Sequence, residues 1–476
     1  ALSGVADRVE SYYLTTSSGR AELPATLRAR AELDDLRAEV ANGAGDGAAA
    51  DRHLEQGMGL IERVPASPRA DEVRAALLES MALRAARRVE LERARALYLE
   101  SARVRRAIRA TDPGQQRRND FQVASLLNRA AIMAERMGSP PDAERDWKQA
   151  IELLERYRAR DRDDVDAAVR LAEIQMAVGQ NRFRRGDMAG AQGPLDLALA
   201  AATALTARAP KNTQYQRLMS WTCLALADLA GARGQLDAAQ RMSERARDSA
   251  QLVASIEPAS ATWQSTLGRA ETTVGQFALA REDWTAAAEH LAAARKLYDV
   301  LVARDPSNGE DRRAAAIAIA QLAEAETALH RTDGARASWL AALSHLARLA
   351  GSGKPKARME WANGLRLYAE FERVAGRTAA ADQAIEKAMS LADGTPAMVE
   401  RPSEIAYRAG VLLEAGRSRA SHHRQRDARA LWRRAVDMLR ARAAEAPLDA
   451  DAAGFLRDLE AELAGARSPA RGRRGS

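Results

Sequence analysis

Hydrophobic and polar positions follow helical spacing along most of this chain. Small and large apolar residues recur three, four and seven positions apart with charged residues between them, which is typical of helices that bury one face. Few segments alternate β-branched and polar residues, so strands are not expected. The commonest residues, Ala, Leu, Arg and Glu, are strong helix formers. The pattern predicts an all-α fold.

A turn of similar composition returns at even intervals. Asp305-Pro306-Ser307-Asn308 follows Glu257-Pro258-Ala259-Ser260 after 48 residues, and that turn follows Ala209-Pro210-Lys211-Asn212 after another 48. Proline fixes φ and cannot continue a helix, whereas the short polar side chain can cap the next one. The stretch "RDPSNGEDRR" from Arg304 is therefore interpreted as the loop between two helical units.

Nine segments share residue sizes at fixed offsets from an anchor residue in each. The anchors are Gly47, Leu91, Pro140, Met188, Leu236, Trp284, Thr332, Thr378 and Gln425, spaced 44 to 49 residues apart. Three residues after the anchor all nine segments have Ala, and ten residues after it all nine have Ala, Ser or Gly. At the position nine residues before the anchor, every segment has Ala or Gly. At the position seven residues after the anchor, eight of the segments have a large residue, and the exception is Ser243. Small residues let two helices approach closely, and a large residue one turn away fills the groove beside the contact.

This pattern resembles the tetratricopeptide repeat. The stretches from Gly231 through Gly234 to Ala246, and from Gly179 through Gly186 to Ala198, fit the register of that family. The family repeats every 34 residues or so, about 14 fewer than here, so each helix is longer by about two turns. The resemblance implies a right-handed superhelical solenoid of about nine helical hairpins with N- and C-terminal capping helices. Each helix should have about 20 residues and be roughly 30 Å long.

The repeat predicts the following organisation. Residues 1–24, with Val5, Val9, Tyr12 and Tyr13, form a capping helix and turn, and residues 25–350 form repeats one to seven. A flexible joint at 351–356 precedes repeats eight and nine at 357–446, a closing helix at 447–466 and a disordered basic tail at 467–476. Loops between hairpins are expected at Pro65, Pro113, Pro210, Pro258, Pro306, Pro355, Pro396 and Pro447, and at Asp161-Arg162-Asp163-Asp164 where no proline occurs.

Charge leaves the class of partner open. The formal net charge is +7, but 72 Lys and Arg residues are offset by 65 Asp and Glu residues, and the two signs alternate along the helices. That pattern favours solvated helix faces with i,i+4 pairs over a nucleic-acid site, although a basic chain calls for that test. The densest basic stretch comprises Arg103, Arg105, Arg106, Arg109, Arg117 and Arg118.

The sequence contains no motif of catalysis or metal binding. The single cysteine, Cys223, lies among apolar residues and is expected to be buried. Of six histidines only His422 and His423 are adjacent, and neighbours on a helix point about 100° apart. No Gly-rich phosphate loop or nucleophile elbow is present, and no apolar run is long enough for a membrane span. We therefore expect no cofactor, no metal and no enzymatic activity.

A partner-binding face follows from the family resemblance alone. In tetratricopeptide arrays the concave face is lined by the first helix of each hairpin, and Trp147, Trp339 and Trp432, which share one column, are expected in the core instead. The face implied for this chain comprises Asn128, Glu173, Gln180, Arg184, Trp221, Asp228, Arg269, Gln276, Asn363, Arg366 and Glu370.

Long-period arrays with such turns resemble the recognition regions of bacterial multidomain signalling proteins, where a Ser/Thr kinase, a TIR domain, a winged-helix regulator or a signalling ATPase accompanies the array. The leading hypothesis is a cytoplasmic scaffold that binds a peptide or protein, with further domains expected upstream of Ala1. A membrane span upstream would place the array outside the cytoplasm. The alternatives are a nucleic-acid-binding solenoid with an Arg-rich face and a self-assembling structural array.

Overall fold

The computed structural model describes residues 23–43, 47–88, 90–110, 112–306, 308–351, 353–395, 402–445, 447–448 and 450–465. In these ranges the chain forms helices and no strands, which confirms the all-α prediction. Nineteen helices lie in the described ranges: α1 Pro24–Gly43, α2 Gly47–Glu62, α3 Pro68–Arg87, α4 Leu91–Ala107, α5 Pro113–Arg136, α6 Pro140–Arg160, α7 Val165–Arg184, α8 Met188–Arg208, α9 Thr213–Ala232, α10 Leu236–Ile256, α11 Ala261–Ala280, α12 Trp284–Arg304, α13 Gly309–Ala328, α14 Thr332–Ala350, α15 Pro355–Val374, α16 Thr378–Asp393, α17 Pro402–Ser421, α18 Gln425–Glu445 and α19 Ala450–Ala464.

Consecutive helices pack as hairpins, from hairpin 1 (α1 and α2) to hairpin 9 (α17 and α18). The chain divides into two compact units, unit 1 over Ala1–Pro210 and unit 2 over Lys211–Ser476. Within each unit the second helix of one hairpin also packs against the first helix of the next. First helices of neighbouring hairpins touch as well, as α5 and α7 do in unit 1 and α11 and α13 in unit 2. The final helix, α19, packs on both helices of hairpin 9.

The columns of small and large residues form the contact inside each hairpin. Every anchor is the first residue of a second helix, and the residues three, seven and ten positions after it and nine before it are buried in all nine hairpins. A Cβ added at Gly179 would lie 2.5 Å from Cγ of Leu195, and one at Gly275 would lie 2.6 Å from Cγ of Leu291. The small residue of the first helix therefore faces the large residue of the second, as the sequence pattern predicts.

The turns inside hairpins 3 to 9 share one backbone feature. Two positions before the anchor, Gly138, Gly186, Gly234 and Gly376 have φ between 73° and 82°. This left-handed conformation ends a helix at little cost when the residue is glycine. Glu282, His330 and His423 occupy the same position with φ near 60° in hairpins 6, 7 and 9. The turn geometry is thus kept even where the sequence does not provide a glycine.

The loops between hairpins use polar caps. Asn308 accepts hydrogen bonds from the backbone N–H groups of Glu310 and Asp311, at 3.0 and 3.3 Å. Asn212 caps α9 in the same way. The prediction that all eight repeat prolines lie in loops is wrong for Pro113 and Pro355, which are the first residues of α5 and α15. Proline suits that position because the N–H it lacks would have no partner in the helix.

Several boundaries predicted from sequence fall outside the described residues. Residues 1–22 and 467–476 do so, and Pro396 does as well. At the proposed joint 351–356, α14 ends at Ala350 and α15 begins at Pro355. The predicted closing helix at 447–466 encloses α19, in which Leu459 is buried.

Candidate partner-binding surface

Packing leaves one side of each first helix accessible. The residues nine positions before the anchor face the second helix, and those 14 positions before it are buried in hairpins 2 to 9. Two further residues of the first helix lie 15 and 8 positions before the anchor. Their side chains are directed between these two contacts, and they stay at least partly exposed in most hairpins. We call these two positions the first-helix face. They are seven residues, or about 10 Å, apart on each helix.

In unit 2 the first-helix face carries one pair of residues per hairpin. The pairs of hairpins 5 to 8 are Trp221 and Asp228, Arg269 and Gln276, Ile317 and Glu324, and Asn363 and Glu370. In unit 1, Glu173 and Gln180 form the pair of hairpin 4. Eight of the eleven residues predicted for the partner-binding face therefore lie at these two positions. Asn128 and Arg366 lie 12 positions before their anchors, and Arg184 lies four positions before its anchor.

The pair on α13 was not among the residues predicted for the partner-binding face. Ile317, 48% exposed, and Glu324 occupy the face of hairpin 7, at the same offsets from Thr332 as their counterparts in neighbouring hairpins. The anchor alignment alone was sufficient to find them. Their addition makes the face continuous through hairpins 5 to 8.

An aromatic and a carboxylate share the face of α9. The guanidinium of Arg217 lies over the Trp221 ring at 5.3 Å from its centroid. One helical heptad further on, Asp228 Oδ2 lies 3.7 Å from Nη2 of Arg269 on the neighbouring first helix. Burial raises the pKa of Asp228 above its ordinary value, and the positive charge of Arg269 opposes that shift. The carboxylate is therefore only partly compensated by the protein.

Three predicted residues form one cluster on α15. Nε of Arg366 donates to Oδ1 of Asn363 at 3.0 Å, and its Nη1 lies 3.4 Å from Oε2 of Glu370. The same guanidinium stands over the ring of Phe455 on α19, 5.4 Å from the centroid. Asn363 and Glu370 are thus held in place by a shared arginine, which is itself fixed by an aromatic ring.

In unit 1 two of the predicted residues serve contacts within the array. Asn128 accepts a hydrogen bond from Nε1 of Trp147 in its own hairpin at 2.8 Å, which fixes the buried indole. Arg184 pairs with Glu135 on the neighbouring first helix at 3.1 Å. Asn128 therefore supports the core in addition to any role at the surface.

Gln180 and Gln276 differ from the other predicted residues. Neither side-chain amide has a hydrogen-bond partner in the described part of the chain, and both are partly exposed. A primary amide can donate and accept at once, as a peptide backbone requires. Both amides therefore have unused hydrogen-bond donors and acceptors on the first-helix face.

Metal clusters, membrane-spanning helices and a reactive thiol are further kinds of site that a chain can carry. In the described ranges no cluster of three or more His, Cys, Asp or Glu residues could hold a metal ion. None of the helices that the structure describes is long and apolar enough to cross a bilayer. Cys223 is buried, and burial raises its pKa to about 11, as expected for a structural thiol.

Three known structures are similar to this chain to different degrees. The apo form of RapI matches with a TM-score of 0.50 at 10% identity, covering 82% of this chain and 97% of that one. A tetratricopeptide repeat protein from Parabacteroides merdae matches with a TM-score of 0.36 at 14% identity, over 71% of this chain and 98% of that one. A Rap protein complexed with Competence and Sporulation Factor matches with a TM-score of 0.39 at 13% identity, over 83% and 100%.

No family model and no curated protein matches this sequence. The likeness to RapI concerns the fold, and together with the paired helices it confirms a tetratricopeptide-like array of helical hairpins.

Proposed function

We propose that this chain is a non-catalytic interaction scaffold that binds a peptide or protein segment on its first-helix face. The observation that supports this most directly is the face of hairpins 5 to 8, where every first helix presents two accessible side chains at equivalent positions. Among the described residues, these positions contribute to no cluster of His, Cys, Asp and Glu that could hold a metal ion.

The dimensions of the face suit an extended segment. Neighbouring packed helices lie about 8–10 Å apart, which corresponds to about three residues of an extended chain at 3.3 Å each. A ligand crossing the first helices would therefore place a side chain at every helix. Trp221 offers an aromatic surface, Gln276 offers an amide and Glu370 a carboxylate, so the ligand would meet a different chemistry at each step.

The placement of arginines supports a protein partner over a nucleic acid. A nucleic-acid groove needs a continuous row of uncompensated cations. Here several arginines of first helices are paired with carboxylates on neighbouring first helices, as in Arg129 with Glu79, Arg269 with Asp228 and Arg313 with Glu360. The described first helices thus carry alternating charge.

The wider setting is also part of the proposal. We infer that the array is the recognition region of a larger bacterial signalling protein and acts in the cytoplasm. The reading frame upstream of Ala1 tests this inference. A kinase followed by a membrane span would move the array outside the cytoplasm, whereas a TIR or winged-helix domain would retain it inside.

The binding proposal is tested by crosslinking and affinity capture from bacterial lysate with three baits. The first is the native chain, and the second carries Trp221→Ala, Gln276→Ala and Asn363→Ala on the first-helix face. The third is a matched control with Asp248→Ala, Lys296→Ala and Ser344→Ala, which are exposed residues of second helices in the same unit. We expect a protein that crosslinks to the native chain and the control and is lost with the face variant.

Two results would contradict the proposal. Equal recovery of every protein by all three baits would show that the first-helix face does not select a partner. Recovery of nucleic acid instead, with retention that falls steeply as salt rises, would favour the solenoid that binds nucleic acid. Light scattering over a wide concentration range tests the remaining alternative, because a self-assembling array would grow in mass.

A further inference from the structure

Arg312 is a buried arginine that pairs with no carboxylate of the described residues. It lies in the first turn of α13 and is 6% exposed. Its Nη2 donates to the carbonyl oxygen of Pro306 at 2.6 Å, whereas its Nη1 is buried and has no hydrogen-bond partner in the described chain. The neighbouring carboxylate of Asp311 accepts hydrogen bonds from Ser265 and Asn308 instead. A buried guanidinium is costly unless an anion compensates its charge.

The end of α14 lies beside this part of α13. A Cβ added at Gly309 would lie 3.7 Å from Cδ2 of Leu349, so the last turn of α14 packs near the first turn of α13. Further along both helices, Ala342 and Ala315 belong to one buried cluster. His345 is three residues after Ala342 and four before Leu349, which places it on the same side of α14. His345 therefore lies where α14 contacts the N-terminal turns of α13.

His345 lies among several positive charges. Its Nδ1 is buried and has no hydrogen-bond partner in the part of the chain that the structure describes. Burial lowers the pKa of His345 below its ordinary value, and the positive charge of Arg312 lowers it further. Arg348 and Arg295 act in the same direction, and the carboxylate of Asp299 acts against them. At neutral pH the imidazole is therefore uncharged and has one unused nitrogen.

Two of the three guanidinium groups around His345 are not compensated by described carboxylates. Arg295 is compensated, because its Nε lies 3.6 Å from Oδ2 of Asp299. Arg348 is exposed and pairs with no described residue, and the guanidinium of Arg312 has a backbone carbonyl as its one partner in the same ranges. Two free positive charges beside a hydrogen-bonding ring match the two negative charges of a phosphate group better than the single charge of a carboxylate.

We propose that Arg312, His345 and Arg348 form a binding site for a single phosphate group, which we call the hairpin 7 anion site. Guanidinium N–H groups bind phosphate oxygens in pairs, and an imidazole nitrogen adds a further hydrogen bond. Arg348 is exposed and His345 is partly exposed, so the phosphate would enter from the side of α14 and be stabilised by the buried charge of Arg312.

The ligand of this site is additional to the partner proposed above, because none of the three residues belongs to the first-helix face. A free phosphate ion and a phosphate monoester present the same terminal oxygens, so both belong to the class of ligand that the hairpin 7 anion site would take.

The first test is equilibrium dialysis of the full chain against inorganic phosphate, with the ionic strength held constant by chloride. We expect the native chain to bind one phosphate, and Arg348→Gln to raise the dissociation constant by about tenfold or more. Arg348 is exposed, so this variant should fold, and circular dichroism verifies that it does. The matched control is Lys296→Gln, which removes an exposed cation from α12 of the same unit and should bind phosphate as the native chain does.

The second test uses sulfate, whose charge stays constant between about pH 5 and pH 8, to examine His345. A protonated imidazole adds a donor and a positive charge to the site. Sulfate should therefore bind several-fold more tightly as the pH falls across this range, because the anion favours protonation of the ring. His345→Gln should abolish this dependence on pH, whereas Lys296→Gln should keep it.

Several results would overturn the proposal. If the native chain binds no phosphate, or if Arg348→Gln binds it equally well, the three residues do not form a site. An equal loss of affinity in Lys296→Gln would show that phosphate responds to surface charge in general. A sulfate affinity of the native chain that does not change with pH would contradict the role of His345.

A competition experiment identifies the form of the phosphate once binding is established. The amide of N-acetyl-phosphoserine displaces inorganic phosphate if the hairpin 7 anion site accepts a monoester. If it does not displace the ion, the site takes free phosphate.

Discussion

At the scale of single residues, the hairpins depend on matched sizes across one contact. Gly179 faces Leu195, Gly275 faces Leu291, and a Cβ at Gly416 would lie 2.1 Å from Nε1 of Trp432. These contacts were predictable because both partners keep a fixed offset from the anchor. A glycine in such a position is required by close approach of the facing side chain, and not by its backbone angles.

Two glycines in unit 1 should therefore respond to alanine in opposite ways. Gly179→Ala places a methyl group 2.5 Å from Cγ of Leu195, so overpacking should lower the free energy of unfolding by about 1–3 kcal/mol. Gly59→Ala in α2 meets no atom within 4 Å and should raise it by about 0.5–1 kcal/mol through helix propensity. Urea denaturation of the two variants measures both. The same sign of change in both would show that facing residues do not set the cost.

The three tryptophans of the large column offer a second comparison. Nε1 of Trp147 donates to Asn128 at 2.8 Å, whereas Nε1 of Trp339 is buried and has no hydrogen-bond partner. Replacing Trp339 with Phe removes an unsatisfied polar group, but replacing Trp147 with Phe also leaves Asn128 without its donor. We expect Trp147→Phe to cost about 1 kcal/mol more than Trp339→Phe in urea denaturation. An equal cost would rule out a stabilising contribution from the Asn128 hydrogen bond.

At the scale of helices, long side chains connect first helices to their neighbours. Nε of Arg373 on α15 donates to Oε1 of Glu414 on α17 at 2.6 Å, and Arg417 on α17 pairs with Glu462 on α19 at 2.7 Å. Glu414 is buried, and that burial raises its pKa although Arg373 and Arg417 act to lower it. Glu370 adds a like charge that raises it further.

The raised pKa of Glu414 gives a pH dependence of known sign. A carboxyl whose pKa is higher in the folded state contributes stability below its ordinary pKa of 4.5, and loses it as pH rises through the folded value. Between about pH 4 and about pH 7, the unfolding free energy of the native chain should therefore fall relative to that of Glu414→Gln. Chemical denaturation across this range measures the difference.

The helices and their anchors were predictable from sequence, but the ion pairs and hydrogen bonds that connect neighbouring helices were not. Helical spacing and the columns of small and large residues can be recognised from the type of each residue and its distance along the chain from the anchor. An ion pair such as Arg373 with Glu414 depends on which residues of two helices come side by side, and on the rotamers of long side chains. For the same reason the sequence did not indicate that Asn128 points at Trp147. The residues of the face were largely predictable, whereas their partners required the structure.

At the scale of the whole molecule, helix contacts within each unit connect a hairpin mainly to the next one along the chain. Stability in such an array is approximately a sum of hairpin terms and neighbour terms. A local defect should consequently have a local effect, unlike a defect in a globular domain with one shared core.

Gly275→Ala in hairpin 6 tests this locality within unit 2. Its new Cβ would lie 2.6 Å from Cγ of Leu291, so amides of hairpins 5 to 7 should exchange hydrogen faster than in the native chain. Amides of α17 and α18 in hairpin 9 should be unchanged, and they serve as the internal control. Mass spectrometry of peptic fragments measures both regions. Acceleration throughout unit 2 would indicate one cooperative domain instead of an array.

The turn before the anchor has a consequence for the evolution of the array as well as for its packing. In hairpins 3 to 9 the second helix begins two residues after a left-handed position, so the ends of any one of these hairpins match the ends of the others. Unequal recombination within the gene could remove or add one hairpin and still join a second helix to a suitable first helix. The number of surface positions offered to a partner would then change by whole hairpins, while the positions on either side kept their chemistry. Array length is therefore a trait that can evolve separately from the side chains of each hairpin.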